Sequence, residues 1–417
     1  MNFLVTGGAG FIGSHVCERL LREGHAVHAL DDLNPFYDPT LKRENLAALA
    51  QAGGARFQFT VGDITDRAAV EAVFNTVRFD QVIHLAARAG VRPSLEEPAL
   101  YQRVNVEGTV NILEAARKTG VKKLTLASSS SVYGLNSKVP FSETDPIFNP
   151  ISPYAASKLA CEALGHVYHH LYGLDVAMLR FFTVYGARQR PDLAIHKFAR
   201  LMRAGKPIPL FGDGGTARDY TYIDDIVDGV TACTRREFGY EVFNLGESHT
   251  VTLPRLVELL EKSLGVKAII DRQPAQPGDV PLTYANVDKA RRMLGYNPST
   301  LIEDGKPVPV FGDGSTARDY TYVSDTVAGV IACTNRQFGY EIFNLGGSNT
   351  VTLARLIEVL EQTLGKKAII DRHPQQPGDV PLTYADITKS RKHLGYDPKV
   401  GIEDGIRQFV EWFRKHK

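Results

Sequence analysis

The sequence predicts an α/β chain built on a doubly wound parallel sheet, with a smaller lobe behind it. Three observations carry this. Short apolar runs suited to buried strands alternate with helical runs through the first 180 residues. The first such run enters a glycine-rich turn that opens directly into a helical pattern. The remaining chain is long enough for a second lobe, since 417 residues with 43% hydrophobic and 23% charged content describe an ordinary globular protein of two or three domains.

The elements follow in order. Asn2 to Thr6 is an apolar strand running into Gly7, Gly8, Ala9, Gly10, Phe11, Ile12 and Gly13, with helical periodicity from Ser14. Glycines at 7, 10 and 13 allow a tight turn and let backbone N–H groups approach a pyrophosphate at the positive end of a helix. A second strand, Ala26 to Leu30, ends in Asp31 and Asp32, at the distance where a carboxylate meets an adenosine ribose. Together these predict a dinucleotide site of the Rossmann type. An acid where an arginine would accept a 2′-phosphate favours NAD. Strands Phe57 to Val61 and Gln81 to Leu85 lead into Gly62-Asp63-Ile64 and Ala86-Ala87-Arg88, Val104 to Thr119 reads as a helix carrying Asn105, and Val121 to Ala127 is a further strand.

At the end of that strand stands SSSSVYG, and some twenty polar and proline-rich residues later SPYAASK. Tyr154 and Lys158 are four apart, so a helix beginning after Pro153 puts both on one face. A lysine ammonium beside a phenol favours the phenolate, and a serine hydroxyl can share its proton. That set makes a general base for a carbinol. A lone YxxxK is ordinarily a surface coincidence; the glycine turn, Asp31 and the position at a strand's carboxyl end give it meaning.

Other classes are disfavoured. A formal charge of +1 argues against a nucleic-acid surface. The start MNFLVTGGAG has no basic region followed by a long apolar run, so no signal peptide or membrane span is expected and a cytoplasmic location follows. Cys17, Cys161, Cys233 and Cys333 are widely spaced without a CxxC pair, which suggests reduced core thiols and no metal site.

TGGAGFIG, HLAA, SSSSVYG and YAASK, in this order, resemble the extended short-chain dehydrogenase/reductase superfamily, and within it the NAD-dependent nucleotide-sugar epimerases. LNPFYDPTLKRENL from Leu33, AGVRPS from Ala89 and RFFTVYGARQRPDLAIHKF from Arg180 are similar to segments of UDP-glucuronate 4-epimerases. The resemblance implies a catalytic set of Ser129, Tyr154 and Lys158. Cofactor contacts would come from Gly7, Gly10, Phe11, Ile12, Gly13, Asp31, Asp63, Ile64, Ala86, Asn105, Tyr154 and Lys158. Sugar contacts would come from Ser131, Thr183 and Arg190, the last two gripping a uronate carboxylate, a task suited to a guanidinium fork. UDP contacts would come from Arg218 and Asp279. Related 4,6-dehydratases carry an Asp-Glu pair where Ser130 and Ser131 stand, and uronate decarboxylases a glutamate at Ser131, so oxidation and return of a hydride is the surviving chemistry. Ala187 and Pro93 depart from the pattern, where a proline and an aromatic are usual.

One feature lies outside that resemblance. Residues 206–305 and 306–405 align without a gap, identical at about 70 of 100 positions. The expected organisation is a Rossmann domain at 1–180, a substrate lobe at 181–305 with 217–246 returning to the first domain, a second copy at 306–405, and a C-terminal helix at 406–417. The two copies offer alternative UDP contacts, Arg218 with Asp279 or Arg318 with Asp379. The first copy is favoured because it keeps Asp224 and Asp228 where the second has Ser324 and Ala328. The surplus copy, lacking a sheet for its returning strand, is expected to pack incompletely or to pair with another subunit. By resemblance the protein is a homodimer acting on a UDP-sugar, with no nucleic-acid or membrane partner. UDP-glucose or UDP-N-acetylglucosamine 4-epimerase, or a catalytically silent NAD-binding protein, remain the alternatives.

Overall fold

Seven strands, all in parallel register, form the central sheet, in the order Tyr240–Leu245, Asp175–Phe181, Lys123–Ser129, Gln81–His84, Asn2–Thr6, Ala26–Asp31 and Phe57–Val61. The computed structural model describes residues 1–136, 138–211, 215–274, 282–302, 308–311, 313–336, 341–365, 367–368, 370–373 and 382–415. They belong to two units, Met1–Gly305 and Lys306–Lys417.

The first unit opens with β1 (Asn2–Thr6), α1 (Phe11–Arg22), β2 (Ala26–Asp31), α2 (Pro39–Gly53), β3 (Phe57–Val61), α3 (Arg67–Phe74) and β4 (Gln81–His84). After α4 (Val91–Glu96), α5 (Pro98–Tyr101) runs through a π-helical turn at Gln102–Glu107 into α6 (Gly108–Thr119). The helix expected from Val104 therefore begins earlier, with Pro98 at its first turn, and carries Asn105 in the widened turn. Next come β5 (Lys123–Ser129), α7 (Pro153–Tyr172), β6 (Asp175–Phe181), β7 (Thr183–Tyr185) and α8 (Ala194–Arg203). β5 lies two residues later than its apolar pattern suggests, because the Val121 N–H bonds back to Ala116 O at the end of α6. Its pairing with β6 runs on to Ser129. The unit continues with β8 (Ile208–Phe211), β9 (Ala217–Tyr222), α9 (Ile223–Thr234), β10 (Tyr240–Leu245), β11 (Thr250–Thr252), α10 (Leu253–Leu264), β12 (Ile270–Gln273) and α11 (Asp288–Leu294).

The inner strands are apolar on both faces because helices cover both: Phe3, Leu4 and Val5 of β1 and Val176, Met178 and Leu179 of β6 are buried. β10 and α9 are the return of the chain to this sheet. β10 pairs with β6 from Tyr240↔Val176 to Leu245↔Phe181, and α9 buries Ile223, Ile226, Val227 and Val230 in the core formed with α1 and β6. Arg19 Nη2 of α1 donates to Asp228 Oδ1 of α9 at 2.6 Å.

The second unit contains β13 (Val308–Phe311), β14 (Ala317–Asp319), α12 (Val323–Thr334), β15 (Thr350–Thr352), α13 (Leu353–Leu364), β16 (Ile370–His373), α14 (Thr388–Leu394) and α15 (Ile402–Lys415). Its pairings β13–β16 and β14–β15 reproduce β8–β12 and β9–β11. Where the first unit has β10, residues 341–345 form no strand. Val327 and Val330 of α12 are 47% and 49% exposed, against 3% and 0% for Val227 and Val230. A small core of Ile387, Leu394 and Tyr396 remains. The terminal helix starts at Ile402, four residues before the expected Ile406, with Glu403 and Asp404 in its first turn where acids suit the helix dipole.

Candidate active site

A cavity of about 610 Å³ opens at the carboxyl ends of the parallel strands of the first unit. One wall is the turn between β1 and α1, where Gly7, Gly10, Phe11, Ile12 and Gly13 all line the space. Gly7 has φ +69°, and a Cβ there would sit 2.8 Å from Ala86 N; one on Gly13 would lie 2.1 Å from Gly7 O. Only glycine lets the backbone close this tightly, and the groove left above the start of α1 suits a diphosphate. Asp63, Ile64 and Ala86 line the same cavity.

Asp31, at the end of β2, also lines the cavity, but it is buried and engaged. It accepts from Leu33 N at 2.9 Å, Ala9 N at 3.3 Å and Lys42 Nζ at 2.9 Å. Lys42 stands 3.7 Å from Asp32 as well, so a lysine from α2 ties both acids together at the end of β2. Sequence reasoning missed Lys42. It lies within the LNPFYDPTLKRENL segment, but its partner is evident only when α2 folds back over β2.

The Ser-Tyr-Lys set meets at the same opening. Ser152 caps α7 by accepting from Ala155 N at 3.1 Å, and Pro153 occupies the first turn. This cap places Tyr154 at the mouth and Lys158 one turn below. Lys158 Nζ donates to Ala127 O of β5 at 2.9 Å, which fixes the ammonium against the strand bearing the serines. Ser129 Oγ accepts from Ser131 N at 3.2 Å and from Ser131 Oγ at 3.0 Å, leaving its own proton to donate. Ser129, Ser131, Tyr154 and Lys158 all line the cavity.

Asn105 does not line it. Its amide donates to Arg88 O at 3.0 Å and Ser157 Oγ at 2.9 Å, and its carbonyl accepts from Arg88 N at 2.8 Å. It braces the loop after β4 against α7 from beneath, so its place is one layer below the groove. Deeper still, Arg180 and Glu162 form a buried bidentate pair at 2.9 and 2.7 Å, joined by Ser128 Oγ at 2.6 Å and Tyr133 OH at 2.9 Å.

The loop after β7 supplies the far wall. It is pinned by Gln189 Nε2 donating to Val184 O at 3.0 Å and by His196 Nδ1 meeting Gln189 O at 2.7 Å. Thr183 and Arg190 line the cavity. Arg190 Nε and Nη2 hold Asp192 at 3.0 and 2.6 Å; burial works against the guanidinium charge, but that bond keeps its pKa above the ordinary arginine value. Arg218 of β9 lines the cavity with its Nη1 donating to Ala217 O at 3.0 Å. Arg318 of β14 makes the same bond to Ala317 O in the second unit. Asp279 and Asp379 lie outside the described residues.

A family model described as GDP-mannose 4,6 dehydratase matches residues 4–307, and again 301–409. The UDP-glucuronate 4-epimerase of Thermodesulfobacterium geofontis is 46% identical over 304 residues, 73% of this chain and 93% of that protein. A probable UDP-glucuronate 4-epimerase of Rhizobium meliloti is 41% identical over 324 residues, 73% of this chain and 94% of its own length. Among solved structures, UDP-glucuronic acid 4-epimerase from Bacillus cereus in complex with UDP-glucuronic acid and NAD superposes with a TM-score of 0.69 at 38% identity, over 73% of this chain and 96% of that one. UDP-glucose 4-epimerase from Thermotoga maritima with UDP-glucose gives 0.67 at 36% identity, with the same coverage of each chain.

Proposed function

The chain belongs to the GDP-mannose 4,6 dehydratase family, and from that premise we propose that it is an NAD-dependent isomerase that epimerises UDP-hexuronates at C4, converting UDP-glucuronate to UDP-galacturonate. The observation that carries this is one cavity lined by the glycine turn, by Ser129, Tyr154 and Lys158, and by Arg190. The likeness to UDP-glucuronate 4-epimerases over nearly their whole length supports it. Ser130 and Ser131, where dehydratases carry acids, leave no carboxylate to drive elimination.

NAD, bound over the glycine turn, supplies the acceptor for the C4 hydride. Tyr154 takes the 4-hydroxyl proton as a phenolate, and the Lys158 ammonium, anchored on Ala127 O, offsets that negative charge. Ser129, whose oxygen already accepts from Ser131, donates toward the sugar oxygen and relays the proton. Inversion at C4 would require the 4-keto sugar to turn about its phosphate link and present its other face before it is reduced. That intermediate is a β-keto acid prone to lose carbon dioxide, so Thr183 and Arg190 restrain the carboxylate. Arg218 of the first copy holds the diphosphate, and residues 206–305 serve as the working lobe. The protein acts as a homodimer through the helices that carry Asn105 and Tyr154, the second of which exposes Val167, Leu171 and Tyr172 in the single chain. Its four free cysteines fit the reducing cytoplasm.

Purified protein incubated with UDP-glucuronate should yield UDP-galacturonate. Tyr154→Phe should lower kcat by about 10² to 10⁴-fold with bound NAD retained. Arg190→Ala should raise the uronate KM and release decarboxylated product, read by mass spectrometry. Wild-type protein that holds NAD but turns over no UDP-uronate would overturn the assignment.

A further inference from the structure

Resting on the uronate reading above, we propose that Arg88 is a second anion-binding residue of the sugar pocket, acting with Arg190 on the carboxylate of the substrate. Arg88 lines the cavity at the end of β4, where Asn105 clamps its backbone by both N–H and carbonyl. Its guanidinium lies 5.3 Å from the centroid of the Phe36 ring, and that of Arg190 lies 5.3 Å from the same centroid. One half-exposed aromatic ring thus gathers two guanidinium groups from loops far apart in the sequence, where a single anion can meet both.

Arg190 is balanced by Asp192. No hydrogen bond or ion pair joins the Arg88 guanidinium to another of the described residues, although it carries five N–H donors and is half-buried. Arg88, Arg190 and Asp192 together carry one positive charge, enough to balance one carboxylate. The charge sits at the reacting end of the sugar. The Tyr101 hydroxyl, bonded to Ala89 O at 3.2 Å, is within electrostatic reach of Arg190, Tyr154, Arg88 and Asp192, and the Tyr101 and Tyr154 rings meet edge-on at 6.1 Å.

The test is Arg88→Gln in the full chain, with KM for UDP-glucuronate, the inhibition constant of UDP-glucose, and bound NAD as readouts. The expected result is a uronate KM raised about 10- to 100-fold, as for loss of a charge-assisted hydrogen bond. UDP-glucose inhibition should change less than about threefold and NAD content should be unchanged, with Arg88→Lys restoring part of the loss. A uronate KM within about threefold of wild type overturns the proposal, as does an equal loss for both sugars, or loss of NAD, which would assign Arg88 to the diphosphate. Should Arg88→Gln not fold, Phe36→Leu decides: the uronate KM rises several-fold with UDP-glucose unaffected, or the clamp is refuted. Failure of the wild-type chain to turn over UDP-glucuronate would instead remove the epimerase reading itself, and the control Arg190→Ala separates the two.

Discussion

His84 links the site to the stability of the sheet beneath it. Fully buried at the end of β4, its Nδ1 meets Thr6 Oγ1 at 2.7 Å and its Nε2 meets Thr109 Oγ1 at 3.1 Å. Burial, assisted by the nearby Lys158 charge, depresses its pKa from 6.5 to about 3. The unfolded chain takes up a proton below pH 6.5 while the folded chain does not. The contribution of His84 is therefore complete above that pH and is lost as pH falls toward 3. Denaturant unfolding should show stability declining from pH 6.5 to pH 4, and His84→Gln should flatten that slope. At this scale the sequence spoke clearly where one strand or helix carries the chemistry, as in Gly7 to Gly13 and Tyr154 with Lys158. Lys42 and Arg88 acquire their roles only through partners brought together by folding, and no local pattern announces that.

Among the elements, α9 and α12 make a controlled comparison, since their sequences share one pattern and their surroundings differ. Val230 lies in a packed core with β6 and α1, whereas Val330 is half exposed. Val230→Asp should unfold the first unit, because an unpaired charge buried there costs several kcal/mol. Val330→Asp should change its melting temperature by less than about 2 °C, within the range of surface substitutions. Equal effects in thermal scans would mean that the two faces are equally buried in solution. The strand periods were readable to within a residue or two, because buried parallel strands are apolar throughout. The returning strand was harder: Tyr240–Leu245 and residues 341–345 share nearly the same sequence, and only the first has a β6 edge to pair with.

At the scale of the whole molecule, the described residues that line the cavity fall between Gly7 and Thr283. Removing residues 306–405, so that the terminal helix follows Gly305, should leave NAD content unchanged and epimerisation within a few-fold of the full chain. A loss beyond tenfold in the same assay would show that the second block takes part in catalysis. The alternation of strand and helix runs and the glycine turn announced an α/β protein, and the repeat was plain from identity alone. What identity could not supply was the fate of each copy, which depends on the number of sheet edges available to receive one.

The pairing of β10 with β6 also has a temporal side. A ribosome adds about 5–20 residues per second, so residues 341–345 emerge roughly 5–20 s after Tyr240–Leu245. Domains of mixed α/β topology fold within milliseconds to seconds. The vacant edge of β6 is thus filled by the first claimant before the second exists. A chain with the two blocks exchanged should therefore still dock whichever block is made first, which hydrogen exchange at the strand beside β6 would check.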